Sequence, residues 1–211
     1  MLLIGAKGHA KEVLDVLTHI LGQEDIALYD DVSSDLPERL YGKFPVIKTV
    51  SAVKQLFLKD NRFVLALGNP HGRADMARKF RALGGELISV ISPFARIGAL
   101  DIELGNGLNV MHGVVITNSI KIGEGTLLNA NCTVHHDSRI GNYCEISPGA
   151  HITGKCTVGN FCRIGTGAVV LPGVKIGDNV IIGAGAVVRT DVESNCTVVG
   201  VPAKSVTKRS R

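Results

Sequence analysis

LGNGLNVMHGVVITNSIKIGEGTLLNANCTVHHDSRIGNYCEISPGAHITGKCTVGNFCRIGTGAVVLPGVKIGDNVIIGAGAVV, residues 104–188, carries an aliphatic residue at every sixth position. The series is Leu104, Val110, Ile116, Ile122, Leu128, Val134, Ile140, Ile146, Ile152, Val158, Ile164, Val170, Ile176, Ile182 and Val188, fifteen matches without a slip. Ile91 and Ile97 extend it backwards, with one extra residue before Leu104. A second column, four residues after each anchor, is mostly compact: Thr126, Cys132, Ser138, Cys144, Ala150, Cys156, Cys162 and Ala168 illustrate it. Glycine commonly follows the anchor, as at Gly105, Gly123, Gly141, Gly159, Gly165, Gly177 and Gly183. A period of six with these features predicts a hexapeptide β-helix. Three short strands then close one triangular coil, and coils stack at the ~4.8 Å strand spacing, so about five coils give a prism of roughly 25 Å.

The composition agrees. Aromatic residues are 4% of the 211, Trp is absent and Gly numbers 25, as a thin aliphatic interior requires. A hydrophobic share of 45% with 20% charged residues fits a globular chain. The formal charge of +4 demands no nucleic-acid partner. Lys204, Lys208, Arg209 and Arg211 form a basic tail, read as a solvated terminus. No apolar run approaches the ~18–20 residues of a membrane span, so no membrane partner is expected. MLLIGAKGHA lacks a secretory layout, and a cytoplasmic location is expected.

Residues 1–92 read differently. Strands are predicted at Met1–Ile4, Ile26–Tyr29, Pro45–Ile47, Arg62–Leu67 and Leu87–Val90. Helices are predicted at Gly8–Leu21, Val50–Leu58 and His71–Leu83. Such alternation implies a parallel sheet with helices on its faces. The expected organisation is a Rossmann-like α/β domain over 1–92 and a parallel β-helix with a C-terminal cap over 93–211. The exposed ends of the prism need covering; the N-terminal domain and residues 189–211 are expected to do this.

Two places can carry chemistry. Gly5-Ala6-Lys7-Gly8-His9-Ala10 joins the first strand to a helix, a turn that aims N–H groups and a positive helix end at an anion. Asp30 and Asp31 follow the second strand, and Gly68-Asn69 follows the strand ending at Leu67. Ligands of open α/β sheets sit at these carboxyl ends, so a nucleotide is the expected ligand. The second place is His135-His136-Asp137 on the solenoid wall. An imidazole can take a proton near neutral pH, and a carboxylate can hold its tautomer. His112 and His151 read as surface residues. Four of the five cysteines fall in the compact column and read as packing; Cys144 and Cys162 lie one coil apart. No CxxC pair exists, so no zinc cage is expected. Uninterrupted hexads leave no long loop on the prism, so acceptor recognition falls to the N-terminal domain or a neighbouring subunit.

These stretches resemble the NeuD/PglD-like family of bacterial sugar acyltransferases. The likeness is carried by GAKGHAKEVLDVL at the start, LYDD at 28–31, ALGNPHGR at 66–73, TVHHDSRIGNYCEISPGAHITG at 133–154 and VGVPAK at 199–204. The resemblance implies a left-handed β-helix, acetyl-CoA as co-substrate, no metal, and a nucleotide-linked 4-amino-4,6-dideoxy sugar as acceptor. It implies a homotrimer with each site between two prisms. His136 matches the family's catalytic base, Asp137 its acidic neighbour, and Asn129 a sugar-contacting Asn. His9, Asp30 and Asp31 match the family's nucleotide-binding positions, and Gly8, Gly68 and Asn69 are expected beside them from their place at the carboxyl edge of the sheet. Gly154, Gly165, Gly183 and Ala184 match the coenzyme side. Glu145 stands where many members carry a His near the acetyl group. A carboxylate cannot donate to the thioester oxygen unless protonated. Either a backbone N–H then holds the oxyanion or the acceptor is handled differently. The alternatives to N-acetylation are O-acetylation of sialic acid or another glycan hydroxyl, and a non-enzymatic assembly platform.

Overall fold

The computed structural model describes residues 1–21 and 26–206. The N-terminal half runs β1 (Leu2–Ile4), α1 (Gly8–Leu21), β2 (Ala27–Tyr29), β3 (Arg39–Leu40), β4 (Phe44–Ile47), α2 (Val50–Phe57), β5 (Arg62–Leu65), α3 (Pro70–Ala82) and β6 (Glu86–Leu87). The sheet order is β3-β4-β2-β1-β5-β6, parallel throughout except for the β3–β4 hairpin. The direction of winding reverses between β1 and β5, which is where an open α/β sheet forms a crevice. β1 and β2 are buried at every residue, as strands covered on both faces must be. Thr49 caps α2 by accepting from the Ala52 N–H at 3.3 Å. Asn69 caps α3 by accepting from the Gly72 N–H at 2.9 Å, and Pro70 sits in the first turn, where no N–H is required.

The predicted strand Leu87–Val90 is two strands. Glu86–Leu87 closes the α/β sheet, and Val90–Ile91 is already the first rung of the β-helix, paired with Asn109–Val110. The hairpin strand Arg39–Leu40 was not expected, because two residues carry no period.

From Val90 onward the chain forms a left-handed parallel β-helix with three faces. The first holds seven parallel strands from Val90–Ile91 to Thr197–Val199, more than the expected five. The second runs from Arg96–Ile97 to Val187–Val188 and the third from Ile102–Leu104 to Lys175–Ile176. Leu104 pairs with Ile122 and Ile146 with Ile164, a step of eighteen, whereas Ile91 pairs with Val110, a step of nineteen. The extra residue before Leu104 is thus absorbed in the first coil. Lys204–Ser205 folds back antiparallel on Thr197–Val199 and ends the parallel ladder.

The compact column also makes hydrogen bonds. Thr126 Oγ1 donates to Gly141 O (2.9 Å), Ser138 Oγ to Thr153 O (2.9 Å), Cys144 Sγ to Gly159 O (3.0 Å) and Cys162 Sγ to Gly177 O (3.0 Å). Each bond reaches fifteen residues ahead and satisfies a corner carbonyl of the next coil. All five cysteines are free thiols, and burial pushes that of Cys132 up to about 12. The corners follow a third column, three residues after each anchor, with positive φ. It includes Ser119, Asn131, Asp137, Tyr143, Lys155, Phe161 and Asn179 beside glycines such as Gly125 and Gly149. None is β-branched, as a left-handed turn requires.

The two halves share one core. Val13 and Leu17 of α1 join Val90, Leu108 and Val110, and the same cluster continues along the prism to Val198. A second cluster, with Val53, Phe63, Ala77 and Phe80, lies under α2 and α3. No helix among the described residues is long and apolar enough to cross a membrane.

Candidate functional site

A cleft of about 460 Å³ opens at the carboxyl ends of β1, β2 and β5, lined among others by Gly8, His9, Asp30, Asp31 and Gly68. It occupies the switch point where a ligand was expected. Gly5 has φ +115°, and a Cβ there would stand 2.7 Å from Ala66 O, so only glycine lets β1 turn beside β5 into α1. The first turn of α1 holds no acidic residue, leaving its positive end open to an anion. A larger hollow of about 830 Å³ lies at the opposite, amino ends of the strands, lined by Met1, Arg39, Lys59 and Arg62; it is remote from this chemistry.

His9 is held from both ring nitrogens. Nδ1 lies 3.1 Å from Glu12 Oε2, and Nε2 lies 3.3 Å from Asn109 Nδ2. An amide nitrogen donates, so Nε2 accepts and Nδ1 carries the hydrogen. Burial lowers the His9 pKa, which agrees with this neutral tautomer. Asp30 closes a local turn, accepting from the N–H of Val32 (3.1 Å) and Ser33 (2.8 Å). Asp31 accepts from Tyr29 Oη (2.7 Å) and Lys79 Nζ (3.1 Å), and these bonds hold its carboxyl below the usual range. Asn69 is engaged in capping α3 and does not line the cleft.

His136 and Asp137 follow Thr133–Val134 at the corner between the second and third faces. His136 Nδ1 stands 2.8 Å from Asp137 Oδ2, which makes Nδ1 the protonated nitrogen and leaves the Nε2 lone pair free. Both side chains are exposed. The ring lies over Gly154: a Cβ on that residue would fall 2.5 Å from Nε2. Gly154 is therefore glycine to make room for the imidazole. His135 is half-buried and shares Thr133 Oγ1 with His151 at 3.1 and 2.9 Å.

The remaining candidates lie elsewhere. Asn129 sits at the corner between the first and second faces, its Oδ1 accepting from Ala130 N at 2.8 Å. Gly165, Gly183 and Ala184 lie farther along that same corner, after Ile164 and Ile182. Glu145 is on the first face, ion-paired with Arg163 at 3.0 Å. One chain thus brings Gly154 to His136 and Asp137. It places the cleft, Glu145, Asn129, Gly165, Gly183 and Ala184 on another side. Contacts from the N-terminal half to the β-helix reach the two corners that flank the first face. His112 meets α1 at one, and Gly125 and Tyr143 meet α3 at the other.

Sequence reasoning passed over two residues that build this junction. Arg73 of α3 is 1% exposed and donates to five carbonyls: Leu67, Gly68, Gly125, Tyr143 and Cys144. Burial holds its pKa down to about 10. Asn109 is buried on the first face, and its Nδ2 donates to Leu65 O at the end of β5. Arg73 stands in the quoted ALGNPHGR stretch, but no local signal marks an arginine as buried.

A nucleotide-type crevice fused to a hexapeptide solenoid defines a two-part hexapeptide transferase. The family model for the PglD N-terminal domain matches residues 1–80, and that for the bacterial transferase hexapeptide (six repeats) matches 119–154 and 155–190. Among solved structures, the chain is similar to perosamine N-acetyltransferase from Caulobacter crescentus in complex with CoA and GDP-perosamine. Identity is 33%, with 98% of this chain and 96% of that one covered, at a TM-score of 0.90. The acetyltransferase domain of PglB from Neisseria gonorrhoeae, in complex with acetyl coenzyme A, is 32% identical (97% and 98% covered, TM-score 0.89). WeeI from Acinetobacter baumannii is 30% identical (97% and 98% covered, TM-score 0.90). The chain belongs to the NeuD/PglD-like family of bacterial sugar acyltransferases.

Proposed function

We propose that the protein transfers the acetyl group of acetyl-CoA to the 4-amino group of a nucleotide-linked 4-amino-4,6-dideoxy sugar. The observation that carries this reading is the imidazole of His136, fixed through Nδ1 by Asp137 and presenting a free Nε2 over Gly154. Further support comes from the cleft at the α1 N-terminus, suited to a diphosphate, and from relatives crystallised with CoA, acetyl-CoA or GDP-perosamine.

The sugar amine attacks the thioester carbonyl while Nε2 of His136 takes its proton. Asp137 stabilises the imidazolium that results. The tetrahedral intermediate then expels the thiolate of CoA, which recovers that proton from His136. An amine is already a competent nucleophile, so the mechanism uses no metal. Glu145, tied to Arg163, is no donor to the oxyanion, so a backbone N–H takes that role.

The catalytic corner and the nucleotide cleft lie on different sides of one chain, so a complete site joins two copies, in the proposed homotrimer. Cyclic association brings one surface of each copy against a different surface of the next.

Thiol release from acetyl-CoA tests the reading against UDP-, dTDP- and GDP-linked amino sugars and against sialic acids. Turnover with an amino sugar, falling by at least ~10²-fold in His136→Ala, is expected. Turnover with sialic acids alone would reassign the acceptor. Parent kcat in the His136→Ala protein would remove the imidazole from the mechanism.

A further inference from the structure

Away from the His136 corner, Asp15, His19 and His112 bring one potential ligand atom each to within 4.8 Å of one another. Asp15 and His19 are four residues apart on α1, so they share one face of the helix. His112 comes from the corner between the first and second faces of the β-helix. Its Nε2 lies 3.0 Å from Asp15 Oδ2, and its Nδ1 lies 2.6 Å from Ser92 Oγ. Ser92 is 2% exposed and also accepts from the Phe94 N–H at 3.0 Å. His19 Nδ1 lies 2.8 Å from the Asp15 carbonyl oxygen, so it carries hydrogen and leaves the Nε2 lone pair free. The edge of Phe94 packs against both imidazoles, at 5.6 and 5.3 Å between centroids.

We propose that Asp15, His19 and His112 bind one divalent transition-metal ion of the zinc class, joining α1 to the β-helix. Two imidazoles with one carboxylate suit zinc, cobalt or nickel better than magnesium or calcium, which prefer all-oxygen sites. Each imidazole already has an oxygen at Nδ1, the arrangement that orients metal-bound histidines. In the metal-free chain, Nε2–H of His112 donates to Asp15. On binding, that hydrogen moves to Nδ1 and donates to Ser92 Oγ, which has acceptor capacity left beside the Phe94 N–H. The change is a tautomer shift with no net loss of a proton from His112. A tetrahedral zinc at ~2.0–2.1 Å sets its ligand atoms ~3.3 Å apart, so from a spread of at most 4.8 Å, closures of up to about 1.5 Å complete the set. The remaining coordination position is left for water or an oxygen ligand. Asp15 and His112 also line a hollow of about 330 Å³ beside Asn129, which places the ion close to α1, the helix that opens the nucleotide cleft.

The test titrates the full chain, stripped with chelator and dialysed, with Zn²⁺ by calorimetry and with Co²⁺ by visible absorption. One equivalent per chain is expected, with the strong Co²⁺ d–d bands of a four- or five-coordinate ion and a higher Tm in Zn²⁺. His19→Gln, an exposed change that leaves the fold alone, and His112→Gln should each weaken binding more than tenfold. Ser92→Ala should weaken it by the ~10-fold that loss of an orienting hydrogen bond costs. His71→Gln, on α3, should change nothing. The proposal is overturned if micromolar Zn²⁺ gives no stoichiometric binding. It is equally overturned if His19→Gln and His112→Gln both bind like the parent. Neither result bears on acetyl transfer.

Discussion

Replacing Arg73 with Met tests how the two halves are joined. The guanidinium is buried, has no carboxylate hydrogen-bonded to it, and is satisfied by five carbonyls from both halves. Met keeps most of the volume, so the cavity contribution is small. Cys144 O keeps the Leu127 N–H as a donor at 2.8 Å. Gly125 O, which is buried, and Tyr143 O, which is partly buried, have no second donor among the described residues and would be left unsatisfied. At ~1–3 kcal/mol for each orphan, the loss is ~2–6 kcal/mol. Relief of the desolvated cation, whose pKa burial holds at about 10, moves the figure toward the lower half. A net of ~3 kcal/mol lowers Tm by ~6–12 °C in a chain of this size. Freeing the Leu67 and Gly68 carbonyls also loosens one wall of the cleft. KM for the nucleotide sugar should therefore rise several-fold while KM for acetyl-CoA stays near the parent value, a split that a purely structural loss would not produce. Scanning calorimetry and steady-state kinetics read both quantities. A Tm within about 2 °C of the parent would refute the claim that this residue fastens the junction.

Gly154→Ala puts a methyl group where the His136 ring lies. It should cost about 10²-fold in kcat through misplacement of the base while leaving the circular dichroism unchanged; parent-like turnover would show that the imidazole works from another position. Glu124 accepts two hydrogen bonds from Arg81, at 2.8 and 2.7 Å, and this pairing lowers its pKa. The unfolded chain therefore protonates this group first, and stability falls as pH drops below the ordinary ~4.3 toward the lower native value. Glu124→Gln should flatten that part of the Tm-against-pH curve, and an unchanged slope would contradict the assignment. A shared site also predicts complementation. His136→Ala copies mixed and reassembled with Gly8→Asp copies, whose added carboxylate repels a phosphate at the α1 N-terminus, should recover about one quarter of parent activity at equal proportions. No recovery would place both functions within one chain.

What could be read from the sequence was whatever repeats. The anchors Leu104 to Val188 had to recur every six residues because each face of the coil turns one anchor and one compact residue inward, so their register carried over to the structure unchanged. The turn column did not stand out, because Asp137, Tyr143, Lys155 and Phe161 share only a backbone angle and the lack of β-branching. Val90 was assigned to the wrong sheet, since a two-residue strand carries too few positions to reveal its partner. The strand-to-helix turn at Gly5–Ala10 was legible because its chemistry is local. Arg73 was not: on an amphipathic helix it looks like any solvated cation, and its acceptors at Gly125 and Tyr143 lie 52 and 70 residues away. His112 likewise read as a surface residue, because Asp15 is 97 residues distant.

The position of His136 shows why such a site needs a solenoid. Its carbonyl accepts from the Lys155 N–H at 2.8 Å in the next coil, and the N–H of Asp137 donates to Asn118 O at 3.3 Å in the previous one. The main chain on either side of the imidazole is thus fixed by residues about one coil away. Its ring is fixed by Asp137 on one edge and by the bare Cα of Gly154 beneath. Hardly any freedom is left to the imidazole, which suits its proposed role as a base with a single approach direction. The cleft is fastened just as firmly, by Arg73, Asn109 and the Arg81–Glu124 pair, but to a different side of the prism. Neither half can swing to meet the other within a chain. In the proposed shared site, the distance between amine and thioester is set by how copies pack, so the contact between copies belongs to that proposed apparatus along with the imidazole.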